Sequence, residues 1–339
     1  MTYRLRQAPQ VWKLATDLGL KPKDNALADI VRMCVNQVRT FLAEYPCATL
    51  SELCDVVAAK VDTRFIEVQS DAQLLQLKEE FLGRGEIEFA DLEEQLGSDV
   101  YAITFKLLKP TKLDRRFVSI IDCRGAKAWR CYFSKWHELA HLLTITPQMR
   151  LKFCRTHCVA EQKDPEEAAM DLIAGAVGFL PDLVQRHASG PISFEKIEEL
   201  RTSLCPEASL QASLIGLVQS WPNAALLIQP ALALRKRETA SGSQATFDFR
   251  EKPEPVLRAV SITSNEHART LDLVIFRNMR VPKRSVIYEV CSHGASELEA
   301  VEDLAWWEST EGGRLPTRPA LVQAKRYGGD VYALVSLAG

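Results

Sequence analysis

The chain has 339 residues, of which 47% are hydrophobic, and its net charge is −2. That length suits two domains, and that apolar share is enough for real cores. No run approaches the roughly 20 apolar residues of a membrane span, the opening Met-Thr-Tyr-Arg-Leu-Arg lacks the apolar stretch of an export signal, and the near-neutral charge gives no reason to expect direct nucleic-acid binding.

Residues 25–45 set Leu27, Ile30, Cys34, Val38 and Phe41 at helical spacing. Thr49 and Glu52 form a capping box for a second helix through Ala59. Arg64-Phe-Ile-Glu-Val reads as a strand. Residues 70–98 are acidic and read as helical, with Leu74, Leu75, Leu77 and Phe81 for packing. They suit either a cover near a cleft or a solvated helical hairpin. Strands follow at 101–108 and 117–121, the second a β-branched apolar run. After Arg124-Gly125 the chain returns to Ser134, a natural N-cap. A helix over 135–144 then buries Leu139, Ala140, Leu142 and Leu143 and ends before Pro147.

That helix carries the most informative segment, His-Glu-Leu-Ala-His at 137–141. Residues four apart share a helix face, so the imidazoles of His137 and His141 can bind one metal ion. Glu138 is badly placed to be a ligand and well placed to reach a water on that ion. This is the H-E-x-x-H arrangement of zinc hydrolases. Further on, Asp164 and Pro165 read as the N-cap and first position of another helix, stopped by Pro181. Glu167 lies 26 residues after His141, enough chain for a return helix. It can complete a site of two imidazoles and one carboxylate with an open fourth position. Glu166 is the alternative ligand, and an ordinary acidic first turn favoured by the helix dipole is the alternative reading of both. Asp171, four residues after Glu167, can accept a hydrogen bond from the far nitrogen of a ligand histidine.

Zn²⁺ fits this donor set, and two imidazoles with one carboxylate also suit Mn²⁺. Glu138 would act as general base and then as acid towards the leaving amine. Tyr132, His157 and His187 are candidate oxyanion donors, and no motif selects among them. Nine cysteines, an odd and scattered number, point to reduced thiols in the cytoplasm. Cys154, His157 and Cys158 suit ordinary thiols on a loop or helix, a redox element or a second metal site that lacks an evident fourth ligand.

Residues 193–218 read as helical with a break at Pro206, and 225–234 as a strand. The polar stretch 235–255 has linker composition and marks a domain boundary. Beyond it, 256–263, 271–276, 285–291, 320–325 and 331–336 read as strands and 296–304 as a helix. Together these give an antiparallel sheet with a helix on one face. Trp306 and Trp307 either line a ligand pocket or divide into one core and one partly exposed residue.

The run Arg130-Cys-Tyr-Phe-Ser-Lys-Trp-His-Glu-Leu-Ala-His-Leu-Leu, followed by the Glu167 helix and Gly178-Phe179-Leu180-Pro181, resembles the ImmA/IrrE metallopeptidases over about residues 25–235. The layout looks most like the IrrE radiation-response branch. Ala140 replaces a glycine usual in the family's motif, Met170-Asp171 stands where Ala-Asn or Ala-Asp is common, and one extra residue precedes Pro181. The resemblance implies an α+β chain: a mainly helical zincin-like metallopeptidase domain with a small sheet at 1–190, a helix-turn-helix-like connector at 191–234, the linker, and a GAF-like sensor domain at 256–339 that binds an unknown signal. It implies a cytoplasmic zinc endopeptidase that cleaves a helix-turn-helix repressor and so switches on a stress, DNA-damage or mobile-element response. The competing expectation is a non-catalytic metal-binding regulator that sequesters a protein partner.

Overall fold

The computed structural model describes residues 8–145, 164–234, 254–309 and 313–338. The chain is mixed α+β. It divides into two compact units, Met1–Leu183 with Arg201–Gly216, and Val184–Leu200 with Leu217–Gly339. No helix among the described residues is long and apolar enough to cross a membrane.

The first unit opens with α1 (Pro9–Asp17), α2 (Ala26–Glu44) and α3 (Leu50–Lys60). Asn25 caps α2 by accepting from the Ala28 amide. The capping box forms at α3, slightly offset. Thr49 Oγ1 accepts from the Glu52 amide at 3.1 Å, while Glu52 Oε2 reaches back to the amide of Ala48 at 2.7 Å. Strands β1 (Thr63–Val68), β2 (Ala102–Lys106) and β3 (Phe117–Asp122) make a sheet in the order β1-β3-β2. β1 runs parallel to the central β3 and β2 runs antiparallel to it.

Side chains alternate across a strand, so the two faces of this sheet meet different layers. Val118, Ile120, Ile103 and Phe105 face a core supplied by residues 70–98. Leu74, Leu77 and Phe81 of α4 (Asp71–Gly83) contribute, as do Phe89 and Leu92, the latter opening the short helix α5 (Leu92–Gln95). The rings of Phe81, Phe89 and Phe105 stack at 4.1 and 4.2 Å. This stretch is therefore neither a cover for a cleft nor a solvated hairpin: it is the layer behind the sheet.

The opposite face receives α6 (Cys131–Leu143). This helix starts earlier than its sequence suggests. A 3-10 segment, Gly125–Arg130, runs directly into it, so Ser134 lies buried inside the helix and caps nothing. Cys131, its first residue, is joined to Cys123 at the end of β3. That corrects the expectation of reduced thiols throughout. A Cα separation of 6.0 Å lies within the reach of a disulfide. Cys34, Cys47, Cys54, Cys205 and Cys291 remain thiols. Cys154, His157 and Cys158 lie outside the described residues.

α7 (Pro165–Gly178) packs along α6, with α2 on its other side. Asp164 caps it as predicted, accepting from the Glu166 amide. Its end is pinned to the start of α6. Tyr132 Oη donates to the Gly178 carbonyl at 2.5 Å. The Trp136 indole lies so close that a Cβ on Gly178 would stand 2.9 Å from Cδ1. After α8 (Pro181–His187) come α9 (Phe194–Leu204) and α10 (Leu210–Ser220), with the expected break at Pro206.

In the second unit a five-stranded antiparallel sheet has the order β5-β4-β8-β7-β6. Its strands are β4 (Ala225–Ala233), β5 (Val256–Ser264), β6 (Glu297–Asp303), β7 (Pro319–Tyr327) and β8 (Asp330–Leu337). β4 pairs directly with β5 and β8. The polar stretch 235–255 thus connects two neighbours in one sheet and is not a domain boundary. The 191–234 segment is likewise no separate connector, because it divides between the two units.

Two secondary-structure expectations exchange places here. Residues 285–291 lie on a helix, α12 (Val286–His293), which Ser285 caps through the Ile287 amide and Gly294 ends at φ +80°. Residues 297–303 form β6, paired along its length with β7. The predicted strand at 271–276 is irregular chain after α11 (Glu266–Thr270), yet it buries Leu273 and Ile275 in the core. One sheet face (Leu226, Ile228, Val322, Ala324, Ala333, Val335) packs on α11, α12 and Trp307. On the other side, Phe194 meets the Tyr327 ring and Glu198 accepts from Tyr327 Oη at 2.5 Å. Helical segments therefore pack on the sheet from both sides, not one. Trp307 is core and Trp306 is partly exposed beneath Arg284.

Gly216 carries a testable consequence for α10. Glycine inside a helix ordinarily loses stability relative to alanine. A Cβ at Gly216, however, would overlap the Phe179 ring, which is itself buried. Gly216→Ala should therefore destabilise the first unit by about 1–3 kcal/mol, the cost of forced overpacking. Urea unfolding monitored by tryptophan fluorescence measures this. A stabilised variant would refute the packing.

Candidate metal centre

α6 and α7 bring four of the predicted residues together. His137 and His141 project from adjacent turns of α6, and Glu167 and Asp171 from adjacent turns of α7. His137 Nε2 lies 3.1 Å from Glu167 Oε2, His141 Nε2 lies 3.2 Å from Glu167 Oε1, and the two Nε2 atoms are 3.2 Å apart. Both histidines are buried and Glu167 is nearly so. Asp171 Oδ1 stands 2.9 Å from His137 Nδ1.

These distances carry a chemical consequence. Asp171 accepts from Nδ1–H of His137, which leaves the lone pair on Nε2. That lone pair points at a carboxylate oxygen and at a second imidazole nitrogen. The proton of a neutral His141 can relieve the contacts His141 makes, but His137 Nε2 still faces Glu167 as acceptor against acceptor. A cation at the centre, an extra proton or a metal ion, removes the conflict. Two nitrogen donors and an oxygen donor bound at zinc distances in a tetrahedron stand roughly 3.3 Å apart. Here the two imidazole nitrogens are 3.2 Å apart, and each meets a different oxygen of the Glu167 carboxylate, at 3.1 and 3.2 Å. His137, His141 and Glu167 form a cluster able to hold a metal ion.

The neighbouring glutamates are driven in opposite directions. Burial raises the Glu167 carboxyl, but with a proton on the facing nitrogens the hydrogen bonds from His137 and His141 outweigh it and hold the group well below the usual carboxylate range. Burial raises Glu166, and the proximity of His141 only partly offsets it. Glu167 is thus the ionised member beside the histidines, and Glu166 stands outside the cluster.

Glu138, next along α6, turns towards the sheet. It is completely buried, and its Oε2 accepts from Thr104 Oγ1 of β2 at 2.8 Å. The helix places it about 100° round from His137 and about 60° from His141. The candidate oxyanion donors do not join the site. Tyr132 is buried with its hydroxyl on the Gly178 carbonyl, and burial pushes its pKa well up. His187 is exposed at the end of α8. His157 lies outside the described residues. Thr104 is the site residue that sequence reasoning missed. Its only signal was a hydroxyl among apolar neighbours in a predicted strand.

No protein-family model matches the chain, and no curated protein matches it.

Metal loading tests the cluster directly. Dialysed protein titrated with Zn²⁺ should take up one ion per chain with a rise in Tm, since a ligand bound only by the folded state stabilises it. His137→Ala, His141→Ala and Glu167→Ala should each empty the site, and Glu166→Ala should leave it full. Asp171→Asn should weaken the metal roughly 10- to 100-fold, the usual effect of losing a hydrogen bond behind a ligand histidine. Calorimetric titration with metal analysis reads all five variants. An empty Glu166→Ala protein beside a loaded Glu167→Ala protein would reverse the ligand assignment.

Proposed function

We propose that this chain is a cytoplasmic regulatory metalloendopeptidase of the ImmA/IrrE type. The observation that carries the reading is the meeting of the Glu167 carboxylate with both imidazoles of the His-Glu-Leu-Ala-His helix, with Asp171 behind His137. The donor set fits Zn²⁺, and Mn²⁺ is also compatible with two imidazoles and one carboxylate. When bound, such an ion lowers the pKa of water towards about 7 and polarises a carbonyl.

The remaining chemistry belongs to the protein. His137, His141 and Glu167 hold the ion, and Asp171 keeps the His137 ring in the tautomer that presents Nε2. Glu138 takes the proton from the attacking water and returns it to the leaving amine. The carboxylate is completely buried, and Thr104 Oγ1 donates to its Oε2.

The substrate class follows from the resemblance: a helix-turn-helix repressor, cut to release a stress, DNA-damage or mobile-element response. The second unit is the sensing module. Its antiparallel sheet, with the first strand β4 between β5 and β8, supports a GAF-like reading. The second reading is a metal-binding regulator that sequesters its partner without cutting it. The complete burial of Glu138 favours it, because a general base must meet water.

Glu138→Gln separates the two. In the peptidase reading it retains the metal and partner binding but loses at least 100-fold in cleavage rate, the lower range for a positioned acid–base group. The assay incubates metal-loaded protein with helix-turn-helix repressors from the same cell and reads cleavage by mass spectrometry. A repressor left intact by wild type with Zn²⁺ and with Mn²⁺, under every inducing condition tried, would refute the peptidase reading.

A further inference from the structure

The sheet face under α6 holds three buried hydroxyls where apolar side chains would pack better. They are Thr63 of β1, Ser119 of β3 and Thr104 of β2. Each strand of the small sheet contributes one. A buried hydroxyl costs stability unless it is hydrogen-bonded, and these three bond to one another in a row. Thr63 Oγ1 is 3.0 Å from Ser119 Oγ, Ser119 Oγ is 2.7 Å from Thr104 Oγ1, and Thr104 Oγ1 donates to Glu138 Oε2 at 2.8 Å.

Counting protons fixes the direction of the row. A hydroxyl has one proton to give. Thr104 gives its proton to the carboxylate, so the bond between Thr104 and Ser119 must be donated by Ser119. Ser119 is then spent, so the bond between Ser119 and Thr63 must be donated by Thr63. Every dipole in the row points the same way and ends on Glu138. Aligned hydrogen bonds polarise one another, so the terminal bond is stronger than an isolated hydroxyl–carboxylate pair. This bond is a direct hold on the orientation of the completely buried Glu138 carboxylate.

We infer that Thr104, backed by Ser119 and Thr63, is the positioning device for Glu138. The three strands set the orientation of the carboxylate that α6 alone leaves open. Catalytic meaning for this device rests on the peptidase reading, but the device itself is tested without it.

The test is a double-mutant cycle on the whole chain, read by urea unfolding of metal-free protein. Thr104→Val keeps the shape and removes the hydroxyl. It should lower the folding equilibrium constant roughly tenfold or more in the native background, the range for a hydrogen bond to a charged group. In a Glu138→Ala background the same change should cost less than about threefold, because no carboxylate remains to be satisfied. Thr104→Ser should recover the hydroxyl's contribution in the first background, short of native only by the buried methyl it removes. Equal losses in both backgrounds would show Thr104 to be a packing residue and overturn the inference. Should Thr104→Val fail to fold, Ser119→Ala is read through the same cycle, with the same two outcomes.

Zn²⁺ uptake by Thr104→Val should match wild type. Loss of the ion would place the hydroxyl in support of the metal ligands and also overturn the inference. Where wild type cleaves a substrate, Thr104→Val should lower kcat at least tenfold with KM unchanged, and Thr104→Ser should recover it. Where wild type cleaves nothing, the peptidase reading fails, and the cycle still decides whether the hydroxyl row holds Glu138.

Discussion

The arrangement depends on one carboxylate shared by two imidazoles. Glu167 comes from α7 and both histidines from α6, so the contact exists only while the two helices keep their register. A slide of one residue on α7 would rotate the carboxylate about 100° away and present Glu166 or Ala168 instead. The structure resists that slide at the far end of the pair. Tyr132 bonds the Gly178 carbonyl and Trp136 lies against Gly178, where no side chain larger than hydrogen fits without movement. The helices are antiparallel, since 132 meets 178, 137 meets 171 and 141 meets 167. Gly178 lies eleven residues beyond Glu167, close to three full turns, so both sit on the face turned to α6. The aromatic clamp at one end thereby decides which glutamate stands beside the histidines at the other.

This explains why Glu166 and Glu167 are equivalent in sequence while the fold sets Glu167 beside the histidines. Sequence gave both a place in an acidic first turn after Asp164 and Pro165. Nothing local distinguishes them, because the distinction is made by Gly178 and Trp136, which are distant along the chain. The same holds for Thr104. Its role exists only because β2 lies beside β3 and both lie under α6. In contrast, the His137–His141 spacing, the Asp164 cap, the Asn25 and Thr49 caps and the strands at β1 and β3 are all local features, and all are legible. Ser134 misleads because a polar residue in front of a motif resembles a cap. The helix had already begun at Cys131, continuous with a 3-10 turn.

The second unit shows a different source of illegibility. Val286-Ile-Tyr-Glu-Val is rich in strand formers, yet the Ser285 cap and the left-handed Gly294 bound a helix. Glu297-Leu-Glu-Ala-Val-Glu-Asp is rich in helix formers, yet full-length pairing with β7 makes it a strand. In each case intrinsic preferences worth tenths of a kcal/mol per residue yield to tertiary pairing and burial. The polar composition at 235–255 misled for a related reason. It marks a long connection, and composition does not tell whether the connected strands belong to one sheet or to two domains.

Glu138 brings these threads to one point. Taking a carboxylate out of water costs several kcal/mol unless its oxygens are bonded. A leucine or methionine at this position would fill a comparable volume at no such cost. The chain instead buries the charge, spends three hydroxyls of the same sheet face to support one of its oxygens, and places it one residue after a metal-ligand candidate. Stability alone would favour the apolar alternative. Burial of this carboxylate thus weighs on both readings: the peptidase reading gives the cost a purpose beside His137, His141 and Glu167 but requires water to reach Glu138, and the sequestering reading requires no water but leaves the cost without a purpose.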